Sequence, residues 1–205
     1  MAQAHGDRLT SIDASFLAQE GPTSHMHVGA VMIFDGPPPW YVEFADQVRS
    51  RLHLVPRYRQ KLAIPPIETG RPVWIDDPSF NLEYHVRHTA LPQPGSEEQL
   101  RALAARTHSQ RLDRAKPLWE LWLVQGLEQN RFALISKTHH ALVDGVSGVD
   151  LMTVLFDLSP VPQVAPDGSG LGIQRSLGSA GSGTGLTSNR TVAMSTPETP
   201  STSAW

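Results

Sequence analysis

Two adjacent histidines, His139 and His140, are followed at a short fixed distance by Asp144 and Gly145. An imidazole with a pKa near neutrality can take a proton from an alcohol as that alcohol attacks a carbonyl, a general-base step worth roughly 10²–10⁴-fold in rate. Successive residues of an extended strand face opposite sides, so only one of the two rings can face a given pocket. Asp144 could fix the following loop through an ion pair with a buried arginine, or orient a histidine ring, and Gly145 permits a tight backbone path into a helix. On residue type alone the pair also fits two blander roles, ordinary strand histidines or metal ligands. The metal role is opposed by the absence of cysteine and of a His-x-x-x-His spacing on a helix, so no metal is expected.

Other side chains invite chemistry less strongly. His25, His27, His85 and His88 fall on strand-like segments and read as packing or surface residues. Arg57, Arg59 and Lys61 could approach phosphates, but so short a basic run reads first as a solvated face. Trp119 and Trp122 should point to opposite sides of a regular strand, one of them into the core.

The elements that must carry these residues are legible from spacing. Thr10-Ser11-Ile12-Asp13 sets a hydroxyl and an acid three residues apart, a capped short helix. Met26 to Phe34 is apolar and stopped by Asp35-Gly36-Pro37-Pro38-Pro39, which predicts a buried strand. Phe44, Val48 and Leu52 recur at helical spacing, so Trp40 to Leu54 should be an amphipathic helix covering a sheet. The proline-broken, cation-rich stretch Pro56 to Pro66 predicts no regular element, and Leu82, Tyr84 and Val86 alternate with Glu83, His85 and Arg87 as in a half-buried strand. Ser96 caps a helix with Leu100, Leu103 and Ala104 inward, reaching about Leu112. Trp119 to Val124 and Arg131 to Thr138 should form a hairpin around Gly126 to Asn130, delivering the chain to His139. A further helix is expected from Val146 to about Leu158. Residues 161–205 are dominated by Gly, Ser, Thr, Ala and Pro and read as a disordered tail, leaving 1–160 as one folded unit.

Composition narrows the partners. A formal charge of −3 without a dense basic cluster argues against nucleic acid. The polar opening Met1 to Thr10 lacks a secretory pattern and no apolar run approaches ~18 residues, so a cytoplasmic protein is expected, meeting a membrane or lipid droplet only from its surface. No cysteine is available as a nucleophile.

His139-His140-x-x-x-Asp144-Gly145 resembles the HHxxxDG motif of the coenzyme-A-dependent acyltransferase superfamily, which includes chloramphenicol acetyltransferase, carnitine acyltransferases and peptide-synthetase condensation domains. Leu9 to Leu17, Met26-His27-Val28-Gly29, Val55 to Leu62 and Pro117-Leu118-Trp119-Glu120 are similar to the bacterial wax ester synthase/diacylglycerol acyltransferase family. That resemblance implies an α/β fold, one lobe of a two-lobed chloramphenicol-acetyltransferase-like architecture with a mixed sheet covered by helices. It implies that His140 is the base, with His139 beside it and Asp144 and Gly145 supporting the loop. No bound cofactor is implied. Fatty acyl-CoA would be the co-substrate, diacylglycerol or a long-chain alcohol the acceptor, and triacylglycerol or wax ester the product, without an acyl-enzyme. Residues that bind the coenzyme are not assigned. Family members are about twice this length, so a second lobe or separate chain is an expected partner, and little turnover is expected from one lobe alone. A lobe that binds lipid or acyl-CoA without turnover is the alternative reading, and a superfamily enzyme acting on peptides or small molecules is a third.

Overall fold

The computed structural model describes residues 8–21, 23–64, 70–143, Val154 and 190–194. Thr10 and Asp13 form the expected capping box for helix α1 (Ser11–Gln19), Thr10 Oγ1 accepting from the Asp13 amide at 3.1 Å. Strand β1 (His27–Asp35) follows, then helix α2 (Tyr41–Arg51), which buries Ala45 and Val48. A 3-10 turn over Leu52–Leu54 prolongs α2 to the expected limit, and a second covers Pro56–Arg59.

Two short strands then pair, β2 (Gln60–Ala63) with β3 (Val73–Asp76), in a region where sequence spacing predicts nothing regular. The expected strand at Leu82 to Val86 is instead the single helical turn α3 (Leu82–His85), followed by strand β4 (Val86–Ala90). The Asn81 side chain accepts from the Glu83 amide at 3.0 Å and starts the turn, so Leu82 and His85, three apart, are buried together. Alternation misreads this segment because a buried i, i+3 pair flanking exposed Glu83 and half-buried Tyr84 spans too few residues to separate the two periods.

Helix α4 (Glu97–Ser109) has its predicted cap: Ser96 Oγ accepts from the Gln99 amide, and Gln99 Oε1 accepts from the Ser96 amide at 2.8 Å. It stops three residues short of Leu112, because Gln110 is extended and Lys137 Nζ donates to the carbonyls of Thr107 and Gln110 at 2.9 and 3.0 Å. A side-chain cation on those terminal carbonyls closes the helix where sequence shows no glycine. The hairpin of β5 (Trp119–Leu127) and β6 (Arg131–His139) turns on Gln129 and Asn130, both at positive φ, and β5 carries an irregularity between Val124 and Leu127.

One five-stranded sheet has the order β4-β5-β6-β1-β7, where β7 is Arg190–Met194. β4 and β5 run parallel across α4 and the other pairs are antiparallel. The predicted mixed sheet is thus present, and five residues from the carboxy-terminal stretch, β7, pair with β1. Main-chain hydrogen bonds along an edge make no demand on composition, so a Gly- and Ser-rich context does not reveal them. The helix expected from Val146 to Leu158 lies outside the described residues except for Val154, whose carbonyl accepts from Arg51 Nη1 at 2.7 Å.

The sheet separates two apolar clusters. Trp119, Leu121, Leu123 and Leu134 pack with α2 on one face, while Val124, Ala133 and Ile135 pack against Leu100 and Ala104 of α4 on the other. Trp119 and Trp122 divide as expected: Trp119 is in the larger cluster, and Trp122, half-buried, belongs to the other. Among the described residues no helix is long and apolar enough to cross a membrane.

Candidate active site

The β1–β6 register sets His27 directly opposite His139. The end of β6 is anchored from two directions, since the His139 amide donates to the Leu118 carbonyl at 3.0 Å and the His140 amide donates to the Met26 carbonyl at 2.8 Å. Leu118 and Met26 belong to two stretches already singled out in the sequence, and each proves to hold one residue of the histidine pair.

The two rings part company there. His139 is 1% exposed, and its Nδ1 accepts from the Ala141 amide at 3.0 Å, so the proton of the neutral ring sits on Nε2. Burial drives its pKa down to about 4, against an opposing pull from Glu20 and with help from Arg114 and His140. His140 opens the short helix α5 (His140–Val143), is half-buried, and stacks on Phe16 of α1 with ring centroids 5.0 Å apart. Asp144 and Gly145 lie outside the described residues.

Around His139 lies a polar cluster that residue types do not announce. His27 meets His139 edge-on at 5.9 Å between centroids, and His25 stacks on His27 at 5.4 Å. His27 Nε2 lies 3.6 Å from Oε1 of Glu20, whose side chain is 1% exposed. Burial alone would raise the Glu20 pKa, but hydrogen bonds and charge from Arg114, with Arg111 behind it, hold it below the ordinary carboxylate value. Arg114 Nε donates to Glu20 Oε2 at 2.9 Å and Arg111 Nη2 at 3.3 Å. His27 itself is pushed down to about 3, first by burial and then by the charge of Lys137 and the neighbouring His139. His27 is thus a buried histidine packed directly against His139. Its signal was the short segment Met26 to Gly29. Phe16 lies in the stretch Leu9 to Leu17 that was singled out as well, whereas Glu20, Arg111 and Arg114 carried no signal, because each looks in sequence like an ordinary surface residue.

Below this cluster, fully buried Lys137 lies 3.6 Å from Glu120, which also faces Arg87 at 3.5 Å. Gly29 is required beside them: a Cβ there would overlap the ring of His108, whose Nε2 lies 3.0 Å from the Ser136 carbonyl oxygen.

The remaining candidates disperse. His85 is buried between Phe80 and Trp119, with ring centroids 5.2 and 4.7 Å away, and His88 is exposed over Tyr41. Arg57 covers Trp74, Arg59 covers Phe80, and Lys61 pairs with buried Asp77 at 2.9 Å, so the basic run packs on aromatic faces and an acid. Of these three cations, Arg59 lines a cavity of about 420 Å³ with Arg49, His53, Phe80 and Leu82, which shares no lining residue with the histidine pair. Among the described residues no three His, Asp or Glu side chains converge to hold a metal ion.

Residues 9–196 match the model of the wax ester synthase/diacylglycerol acyltransferase catalytic domain. A probable diacylglycerol O-acyltransferase of Mycobacterium tuberculosis is 44% identical over 162 residues, which cover 78% of this chain and 60% of that protein. The solved wax ester synthase/diacylglycerol acyltransferase of Marinobacter aquaeolei VT8 is 39% identical, with a TM-score of 0.59 over 69% of this chain and 36% of that one. A condensation domain of rhizomide synthetase, solved with C8-CoA, shares the fold at 15% identity and a TM-score of 0.54, over 66% of this chain and 31% of that one. The chain thus spans between about a third and three fifths of the length of these proteins.

Proposed function

Because the chain belongs to the wax ester synthase/diacylglycerol acyltransferase family, we propose that it supplies the general base for acyl transfer from a fatty acyl-CoA to the hydroxyl of diacylglycerol or a long-chain alcohol. The observation that carries this reading is the division of labour within the histidine pair. His139 is buried, with one ring nitrogen committed to a backbone amide, whereas His140 stands on the turn after the strand, half-buried against Phe16.

In this reading His140 takes the acceptor's proton as its oxygen attacks the thioester carbonyl carbon. The carbon–sulfur bond then breaks, the thiolate receives a proton, and the products are an ester and free coenzyme A. Direct transfer suits a chain without cysteine, since no thiol is available to hold the acyl group. Asp144 and Gly145 would support the turn after α5. The longer relatives suggest that further residues complete the walls around thioester and acceptor, and the lipid acceptor suggests contact with a membrane or droplet surface from a cytoplasmic protein.

Labelled palmitoyl-CoA offered with diacylglycerol or hexadecanol tests this, using the chain alone and the chain mixed with the carboxy-terminal part of the Marinobacter enzyme. Labelled ester is expected, and His140→Ala should remove at least ~90% of it while His139→Ala removes less. A His140→Ala rate above about a tenth of the parent rate would reject the base, and lipid binding without ester in either mixture would point to a non-catalytic binder.

A further inference from the structure

Resting on the assignment of His140 as base, we infer that His27, which lies outside the histidine motif, is a positioning residue that holds His139 in the tautomer on which the catalytic turn depends. The geometry runs through five contacts. Glu20 is fastened by Arg111 and Arg114. His27 sits 3.6 Å from Glu20 through Nε2 and meets His139 edge-on across the β1–β6 pair. His139 Nδ1 then accepts the Ala141 amide, one residue beyond His140.

That last bond exists only while His139 Nδ1 is unprotonated. A protonated ring, or the opposite tautomer, would set N–H against N–H and release the turn. His27 guards this state in two ways. Its ring turns Nε2 toward Glu20, so a neutral His27 carrying its proton there leaves Nδ1 as an acceptor within the buried cluster. It also fills the space beside His139, keeping water from solvating an imidazolium. Both ring nitrogens of His27, Nε2 of His139 and Oε1 of Glu20 are buried and make no hydrogen bond among the described residues, so His27 acts on His139 by packing and by its charge contact with Glu20 at 3.6 Å. The groups facing His27 are Glu20, His25, His139 and, through charge, Lys137; burial first and then the Lys137 charge keep it neutral against the pull of Glu20. Met26, its chain neighbour, accepts the His140 amide, so displacement of His27 would disturb the same turn by a second route.

Imidazole ¹⁵N correlation spectra of the whole chain test this without turnover. At pH 7 both His27 and His139 should be neutral with the proton on Nε2, and a proton on Nδ1 of either ring would overturn the inference. In His27→Leu the Ala141 amide should exchange about tenfold faster, while His27→Gln, which keeps a donor and an acceptor, should stay within about threefold of the parent. Unchanged Ala141 exchange in His27→Leu would also overturn it. If His27→Leu fails to fold, the parent spectrum and His27→Gln still decide. In the complemented assay His27→Leu should lower kcat about tenfold with KM within about twofold, a split that general loss of folded protein can produce only together with a lower melting temperature. Activity surviving in His140→Ala would reject the base assignment itself, whatever the ring protons show.

Discussion

Acidification from pH 7.5 to 5.0 is expected to remove roughly 4 kcal/mol of folding stability through two buried rings. His27 and His139 have folded-state pKa values of about 3 and about 4, against an ordinary 6.5. Both values are depressed, so their contribution is fully present above pH 6.5 and is lost as pH falls toward the folded values, because only the unfolded chain takes up protons in that window. At pH 5.0, about 1.5 units below the unfolded pKa, each ring should cost about 2 kcal/mol, a large share of a typical stability of about 5–15 kcal/mol. Buried His85 shifts in the same direction and adds to the slope. Urea unfolding followed by tryptophan fluorescence at half-unit pH steps should show these two rings lowering stability by about 2.5 kcal/mol per unit near pH 5, and His27→Gln should remove about half of that contribution. A midpoint flat between pH 7.5 and 5.0, or a slope unaltered by His27→Gln, would refute the burial of neutral histidines behind the site.

Lys137→Met should cost about 3–5 kcal/mol by urea unfolding, because it leaves Glu120 buried without its partner and uncaps the Thr107 and Gln110 carbonyls; a loss below ~1 kcal/mol would mean the pair is dispensable. Ser96→Ala should cost about 1 kcal/mol by losing the α4 capping box, with accelerated amide exchange confined to the first turn of α4. Trp119→Phe should cost about 2–3 kcal/mol, since it empties part of the core and strands the Tyr58 carbonyl that accepts from Trp119 Nε1 at 2.8 Å; calorimetry reads this directly.

Much of the scaffold is legible locally. The capping boxes at Thr10 and Ser96, the apolar spacing Phe44–Val48–Leu52 and the β5–β6 hairpin all depend on residues within a few positions of one another, and all stand where spacing puts them. The rings of His139 and His140 part as well, but because β6 ends at His139 and α5 begins at His140 rather than by strand alternation. Local signals fail where a longer-range partner intervenes. α4 ends early because a lysine from β6 reaches its carbonyls, and α3 replaces a strand because Phe80 and Trp119 offer His85 a slot.

What sequence determines here is the identity of the motif pair and the strand that delivers it, since a motif is a matter of residue type and short spacing. What tertiary structure decides is the company that pair keeps. β1 joins β6 without being its chain neighbour, so nothing in the spacing of His27 or Glu20 shows that they surround His139. Their charge states follow from that enclosure as well: water is excluded, two arginines hold the carboxylate charged and the rings stay neutral. Desolvation is a property of assembled surfaces, and it arises only once α1, the sheet and the segment after α4 close over one another.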